Sequence, residues 1–340
     1  MSTRLEPQAG ATEAGLVDLS YREAICAALE HELRDDPTVV FMGEDVATAG
    51  GVFKTSEGLA EKFGLERVRN TPICENGFLG VAIGMAVTGM RPVVEIMFSD
   101  FLPTAGDAIV NELPKFRFMT GGQCVVPVTV RAVGGATGRF GTQHSATGES
   151  WYMGLPGLKV ATAGSPASAY GVLRAAIRDD DPVLFFEHKG LYGRKGPVHL
   201  GDEGIPPVGK AGILRSGTDV TVVATLLMAD RAAAAADQLG EEGISVEVVE
   251  LRWLRPLDLD SIIDSVAKTG RLLVVEEQVH AGGWGATVIS ELVVRGVEMS
   301  RPAALSLSDD LLIPYSPTLE DAIVPSAETI AARIREHVRS

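Results

Sequence analysis

The chain has 340 residues, which is long for one core and implies two domains. A formal charge of −15 with no basic block argues against nucleic acid as a partner, and no apolar run reaches membrane-spanning length. A hydrophobic content of 46% suits an α/β protein with well-buried sheets.

The first 18 residues are polar and rich in Ala and Gly, and read as a flexible tail rather than a targeting signal. Ser20-Tyr21-Arg22-Glu23 has capping-box form and opens a helix carrying Ile25, Ala28, Leu29 and Leu33 on one side. Residues 38–42 form a short apolar run that ends at Gly43-Glu44-Asp45. This reads as a buried parallel strand with acids at its carboxyl end, where open α/β sheets bind ligands. Glu44 and Asp45 are either ligand-facing or solvated loop acids. A helix is expected over residues 55–63.

Thr71-Pro72-Ile73-Cys74-Glu75 then approaches in extended form, because Pro72 pushes Thr71 out of the helical region. Gly77, Gly80, Ala82, Gly84 and Ala86 follow as a helix of small residues that can approach another backbone closely. Glu75 therefore sits at a strand-to-helix junction. A carboxylate in a tight apolar junction must find a partner or take up a proton, so Glu75 is either a structural cap or a functional acid.

A strand over residues 92–97 is followed by Phe98-Ser99-Asp100-Phe101, whose aromatics either wall a flat ligand or simply pack the core. The helical pattern of residues 105–119 contains Pro114, and a kink or break is expected there. After a strand over residues 125–131 comes a glycine-rich loop, residues 134–145, ending on Gln143-His144-Ser145. Such a loop can cradle an anion, act as a lid or merely connect, and His144 is either a general acid/base or a structural histidine. A strand (158–161), a helix (166–178) and a strand (183–186) follow. Asp179, Asp180 and Asp181 close the helix against its dipole, which either a bound cation or plain solvation would relieve.

Residues 189–214, rich in Gly, Pro and charge, read as a linker. Beyond it strands (219–225, 245–251, 271–276, 303–306) alternate with helices (228–242, 259–268, 284–294, 326–338), as in a second parallel sheet. Cys26, Cys74 and Cys124 lie in no CxxC pair and read as reduced thiols, which implies a cytoplasmic protein.

Several stretches then agree together: Met42-Gly43-Glu44-Asp45-Val46, Thr71-Pro72-Ile73-Cys74-Glu75, Gly89-Met90-Arg91-Pro92-Val93-Val94-Glu95, Gln143-His144-Ser145, Pro156-Gly157-Leu158-Lys159-Val160, Ala176-Ile177-Arg178-Asp179 and Ile313-Pro314-Tyr315-Ser316-Pro317. In this order, over residues 19–338, the chain resembles the β subunit of thiamine-diphosphate-dependent 2-oxoacid dehydrogenases, a group that acts on pyruvate, branched-chain 2-oxoacids or acetoin. The resemblance implies a pyrimidine-binding α/β domain over residues 19–188 and a transketolase C-terminal-like domain over residues 215–340. Both have mainly parallel sheets flanked by helices.

It further implies an α2β2 heterotetramer, a lipoyl-bearing acyltransferase as partner, and a small 2-oxoacid as substrate. Glu75 matches the acid that bonds the aminopyrimidine ring of thiamine diphosphate. Glu44, Ile73, Cys74, Met97 and Phe101 match positions that line this cofactor. Phe98, Phe101 and His144 match the substrate side, with His144 assisting decarboxylation or acyl transfer. Val128, Ala176, Ile177, Asp179 and Asp181 match a potassium site. Mg²⁺ and the diphosphate are implied to lie on the α subunit. The family motif for them begins Gly-Asp-Gly, and the only Gly-Asp pairs here, Gly106-Asp107 and Gly201-Asp202, do not continue it.

Cys74 stands where serine is common, and residues 141–142 and 146–150 depart from the usual pattern. A pyruvate or acetoin enzyme fits better than a branched-chain one. The alternatives are a transketolase-like carboligase that needs no lipoyl carrier, and a non-catalytic docking subunit.

Overall fold

The computed structural model describes residues 15–339. Strand β1 (Leu16–Ser20) leads directly into helix α1 (Tyr21–Asp35). The Glu23 amide donates to the Ser20 hydroxyl at 3.2 Å, and the Ser20 amide donates to the Glu23 carboxylate at 2.7 Å. The two bonds satisfy donors that a helix start otherwise leaves free.

Strand β2 (Val39–Gly43) is wholly buried, as its unbroken apolar run requires. Helix α2 (Leu59–Phe63), strand β3 (Val68–Asn70), helix α3 (Glu75–Val87) and strand β4 (Arg91–Ile96) follow. The expected helix over residues 55–63 is confined to its last five residues, because Gly58 adopts a left-handed conformation just before it. The break expected at Pro114 is real. A π-turn (Ala108–Glu112) gives way to helix α4 (Leu113–Met119), whose first turn contains Pro114, where a missing amide costs least.

Strand β5 (Thr129–Gly134) starts later than its apolar pattern suggests, because Pro127 offers no amide to the ladder. Then come helix α5 (Glu149–Met153), strand β6 (Lys159–Thr162), helix α6 (Pro166–Arg178), strand β7 (Val183–His188) and strand β8 (Lys195–His199). β8 pairs antiparallel with β1. Neither the expected tail nor the expected linker is therefore featureless: Leu16 to Ser20 holds a strand in place, and residues 195–199 hold its partner. Residues 1–14 of the expected tail lie outside the described residues.

The second half contains strand β9 (Gly212–Arg215), strand β10 (Val220–Ala224), helix α7 (Leu226–Gly240), strand β11 (Val246–Glu250), strand β12 (Trp253–Arg255), helix α8 (Leu259–Thr269), strand β13 (Leu272–Val279), helix α9 (Trp284–Val294), strand β14 (Ala303–Leu307), helix α10 (Pro317–Ile323) and helix α11 (Ala327–Arg339).

One sheet has the order β12-β6-β7-β5-β4-β2-β3, parallel except for β12. The other has the order β14-β13-β10-β11-β9, parallel except for β9. Helices cover both, as the alternation of the sequence requires. β12 crosses between the halves: it follows the second sheet's β11 in the chain but pairs with β6 of the first. Buried acids of the second half also fasten the first. Glu250 accepts from the Gly164 amide and the Ser168 hydroxyl, both at 2.7 Å. Glu277 accepts from the Ala136 amide at 2.5 Å and pairs with His188 at 3.0 Å.

Candidate active site

The carboxyl ends of β2, β4 and β5 supply the site. β2 ends at Gly43, and Asp45 turns the chain with a φ of +56°. The Thr71 amide donates to the Gly43 carbonyl at 2.9 Å, which brings the extended Thr71–Cys74 segment alongside Glu44. Glu75 is then the first residue of α3. Burial raises the Glu44 carboxyl above its usual range, and the charges of Glu75 and Asp45 raise it further. The two glutamates thus share one electrostatic neighbourhood.

Glu75 is not enclosed, contrary to the expectation of a tightly packed junction. It is half-buried, and Ile73 beside it is 82% exposed. The physical reason is the helix's asymmetry. Phe78, Leu79, Ala82, Ile83 and Ala86 face the core, which leaves Gly77, Gly80, Val81 and Gly84 outward with Glu75 at their head. A Cβ at Gly80 or Gly84 would meet nothing within 4 Å. Gly80 and Gly84 are therefore not needed for packing inside this chain.

An aromatic cluster lies at the end of β4. Phe98 is buried, while Met97 and Phe101 are half-buried. The His144 ring stands perpendicular to Phe98 with centroids 4.6 Å apart, and lies 5.4 Å from Phe101. Phe53 and Phe140 complete the ring wall around Phe98, at 5.5 and 5.9 Å. The Asn76 side chain accepts from the Ala108 amide at 3.3 Å, tying the first turn of α3 to the segment that carries Phe101. The structure therefore brings Glu44, Glu75, Met97, Phe98, Phe101 and His144 to one end of one sheet.

The glycine-rich loop that carries His144 is held from several sides. The Ala146 amide donates to Asp100 at 3.2 Å, and the Ser99 hydroxyl donates to the Ala146 carbonyl at 2.7 Å. Burial raises the Asp100 carboxyl, against the opposing pull of the Ala146 amide, Lys189 and His144. Arg139 reaches α10, pairing with Glu320 at 2.5 Å and Asp321 at 2.7 Å, and the Thr137 amide donates to Glu320 at 2.5 Å. Gly141 has a φ of +73° and lies so close to the Tyr315 ring that a Cβ would overlap it. The Lys189 ammonium donates to the carbonyls of Gly135 and, at 2.6 Å, His144. Burial pulls that ammonium down to about 8. Asp100, Arg139 and Lys189 escaped the sequence reading. Asp100 was legible as the acid between two aromatics, whereas Arg139 and Lys189 act on residues far along the chain.

Val128, Ala176, Ile177, Asp179 and Asp181 do come together, but their charge is already met. Lys159 pairs with Asp179 at 2.6 Å and Asp181 at 3.2 Å, and Arg117 pairs with Asp181 at 2.5 Å. Arg91 donates to the carbonyls of Ile177 and Asp179 at 3.2 and 2.9 Å, and pairs with Asp180. The Val128 and Ala176 carbonyls accept from the amides of Val183 and Asp179. The electrostatic reason for expecting a monovalent cation therefore fails: side-chain cations do that work. Among the described residues no group of three or more His, Cys, Asp or Glu is arranged to hold a metal. Among them, too, no helix is long and apolar enough to cross a membrane.

Two mainly parallel sheets, with an acid and a ring wall at the carboxyl end of the first, define a protein of the transketolase class. Residues 17–195 match the family described as "Transketolase, pyrimidine binding domain", and residues 209–330 match "Transketolase, C-terminal domain". The chain is 43% identical over 326 residues to the mitochondrial pyruvate dehydrogenase E1 component subunit beta-2 of Oryza sativa subsp. japonica, covering 95% of this chain and 87% of that one. It is 40% identical to the acetoin:2,6-dichlorophenolindophenol oxidoreductase subunit beta of Cupriavidus necator, covering 94% and 98%. A solved split-gene transketolase, described as an inactive beta4 tetramer, superposes with a TM-score of 0.77 at 25% identity, covering 94% of this chain and 99% of that one. The chain belongs to the family of β subunits of 2-oxoacid dehydrogenase E1 components.

Proposed function

We propose that this chain is the β subunit of a thiamine-diphosphate-dependent 2-oxoacid dehydrogenase, with pyruvate as the favoured substrate, active only when joined to an α subunit in an α2β2 assembly. The observation that carries the reading is the convergence of Glu75, Phe101 and His144 at the carboxyl end of one parallel sheet, on a side left open to solvent. A proton-exchanging carboxylate beside an aromatic edge is the donor set a pyrimidine ring requires, so the residues fit thiamine diphosphate.

When bound, that cofactor supplies the electron sink for breaking the bond next to the 2-oxo group. Glu75 holds a proton at its carboxylate for exchange with a ring nitrogen. Glu44, its carboxyl raised by burial and by the charges of Glu75 and Asp45, stands beside it. Ile73, Cys74, Met97 and Phe101 offer the cofactor an apolar lining, and Phe98 holds the imidazole of His144 on the substrate side. There His144 exchanges a proton with the reacting acid or the acyl group as it leaves for a lipoyl carrier. Mg²⁺ and the diphosphate belong to the α subunit in this reading. The three free cysteines support a cytoplasmic setting.

Acetoin is the second substrate reading, favoured by the match over 98% of the Cupriavidus necator subunit. The test is to purify the chain with an α subunit that carries the Gly-Asp-Gly motif, then to assay pyruvate, branched-chain 2-oxoacids and acetoin with a lipoyl domain as acceptor. Turnover of pyruvate dependent on the lipoyl domain is expected. Turnover without any lipoyl acceptor would favour a carboligase, and no thiamine diphosphate binding would leave only a docking subunit.

A further inference from the structure

Lys189 lies just beyond β7 on a short 3₁₀ turn (Lys189–Leu191), far in sequence from the loop it touches. Its ammonium donates to two backbone carbonyls of that loop, Gly135 at the start and His144 at the end. On the way its stem passes beneath the loop. A Cβ at Gly138 would come within 3.0 Å of the Lys189 Cε, and the Phe140 ring lies 5.5 Å from the ammonium. One cation therefore closes the mouth of the loop whose last turn carries His144. An ammonium suits this task, having three donors, while the loop's carbonyls offer only acceptors.

The other side-chain bonds to the loop act elsewhere. Arg139 ties the middle of the loop to α10, and Asp100 takes the amide of Ala146, two residues past His144. Neither touches His144 itself. Lys189 is the side chain that bonds the histidine's own carbonyl, and so fixes the backbone from which the imidazole projects toward Phe98 and Phe101.

We propose that Lys189 is a positioning residue for His144, a clasp across the glycine-rich loop that sets the imidazole against the aromatic wall. The inference rests on the assignment of His144 to the substrate side. Misplacing a catalytic group by a fraction of its reach costs rate rather than binding. Loss of the clasp should therefore lower kcat while KM and cofactor affinity stay near their usual values.

The experiment compares Lys189→Met, Lys189→Arg and His144→Ala. Hydrogen exchange of the full chain reads residues 136–146, and steady-state turnover of the assembled complex reads the chemistry. In Lys189→Met the loop amides should exchange about tenfold faster and kcat should fall about tenfold or more, with the melting temperature little changed. Lys189→Arg, which keeps the charge and the donors, should recover most of both. Wild-type exchange rates in Lys189→Met overturn the clasp, and this reading needs no assembled enzyme. Faster exchange with unchanged kcat overturns the positioning role, provided His144→Ala is itself impaired. If His144→Ala turns over normally, the assignment of His144 has failed instead, while the exchange measurement still judges the clasp.

Discussion

His144 meets Phe98 edge-on, with ring centroids 4.6 Å apart and planes at 87°. That geometry points the imidazole's polarised edge at, or receives, an aromatic face, and it leaves the ring unable to rotate freely. His144→Ala should spare thiamine diphosphate binding by the assembled complex and slow acyl transfer by about a hundredfold, the scale of a lost acid/base group. Titration with the cofactor followed by a single-turnover transfer assay separates the two. Weakened cofactor binding with normal transfer would move His144 into the cofactor shell.

Glu75→Gln preserves size and hydrogen bonding and lies on a half-exposed helix start, so the fold should stand. Turnover should fall by on the order of a hundredfold or more, because an amide cannot exchange the proton. Near-normal turnover in the assembled complex would remove Glu75 from the mechanism. Because Glu75 also helps to raise Glu44, the same variant should lower the pKa of the Glu44 carboxyl, which carbon NMR can follow.

Glu149 gives a pH prediction. It is fully buried, and burial together with the charges of Glu277 and Glu276 raises it to about 7 despite a bond from Gln278. An acid whose folded pKa exceeds its unfolded one binds more protons in the folded state. Stability is therefore greatest below the unfolded value near ~4.3 and declines as pH rises through about 7, by a total on the order of 3 kcal/mol. Glu149→Gln should flatten this decline and melt higher than wild type at pH 8. Parallel melting curves for the two proteins between pH 5 and pH 8 would contradict it.

Lys159→Met should destabilise the chain by about 2 kcal/mol, since it leaves Asp179 and Asp181 short of a cation beside the end of α6. Wild type should melt alike in potassium and in tetramethylammonium at equal ionic strength, whereas Lys159→Met should gain from potassium. A wild-type protein strongly stabilised by potassium would show that a cation binds the carbonyls there beside Arg91, Arg117 and Lys159.

The purified chain without an α subunit should release no carbon dioxide from pyruvate and bind thiamine diphosphate weakly, because its Gly-Asp pairs lead into no diphosphate motif. Calorimetric titration with Mg²⁺ present checks this. Tight binding by the lone chain would sink the two-subunit reading.

What the sequence made legible follows from periodicity. Helices α6 and α9 lie where their patterns put them, because long amphipathic or apolar runs leave little freedom. The strands β3, β9 and β12 are three or four residues long, too short for a period to register, and each is fixed by its partner strand rather than by its own side chains. The site divides the same way. Glu75, Phe98, Phe101 and His144 sit at element ends where local sequence marks a junction. Arg139 and Lys189 were invisible because their meaning lies in carbonyls and carboxylates tens to hundreds of residues away. The pairing of Asp179 and Asp181 was missed for the same cause: Lys159 reaches them from the neighbouring strand.

The crossing of β12 has a consequence for how this protein can be cut. The outer edge of β6 is covered by β12 and the Leu251 and Arg252 carbonyls just before it, whose chain belongs to the far half. Severing the polypeptide near residue 205 would strip that cover and leave a bare ladder of amides and carbonyls, the surface that invites strangers to pair and clump. The two halves that family matching draws as separate blocks are thus not separable cargo. A gene that carried only the first would bare the edge of β6, and one that stopped at Arg255 would bare the edge of β10 that β13 covers, so a fragment meant for study should keep both sheets.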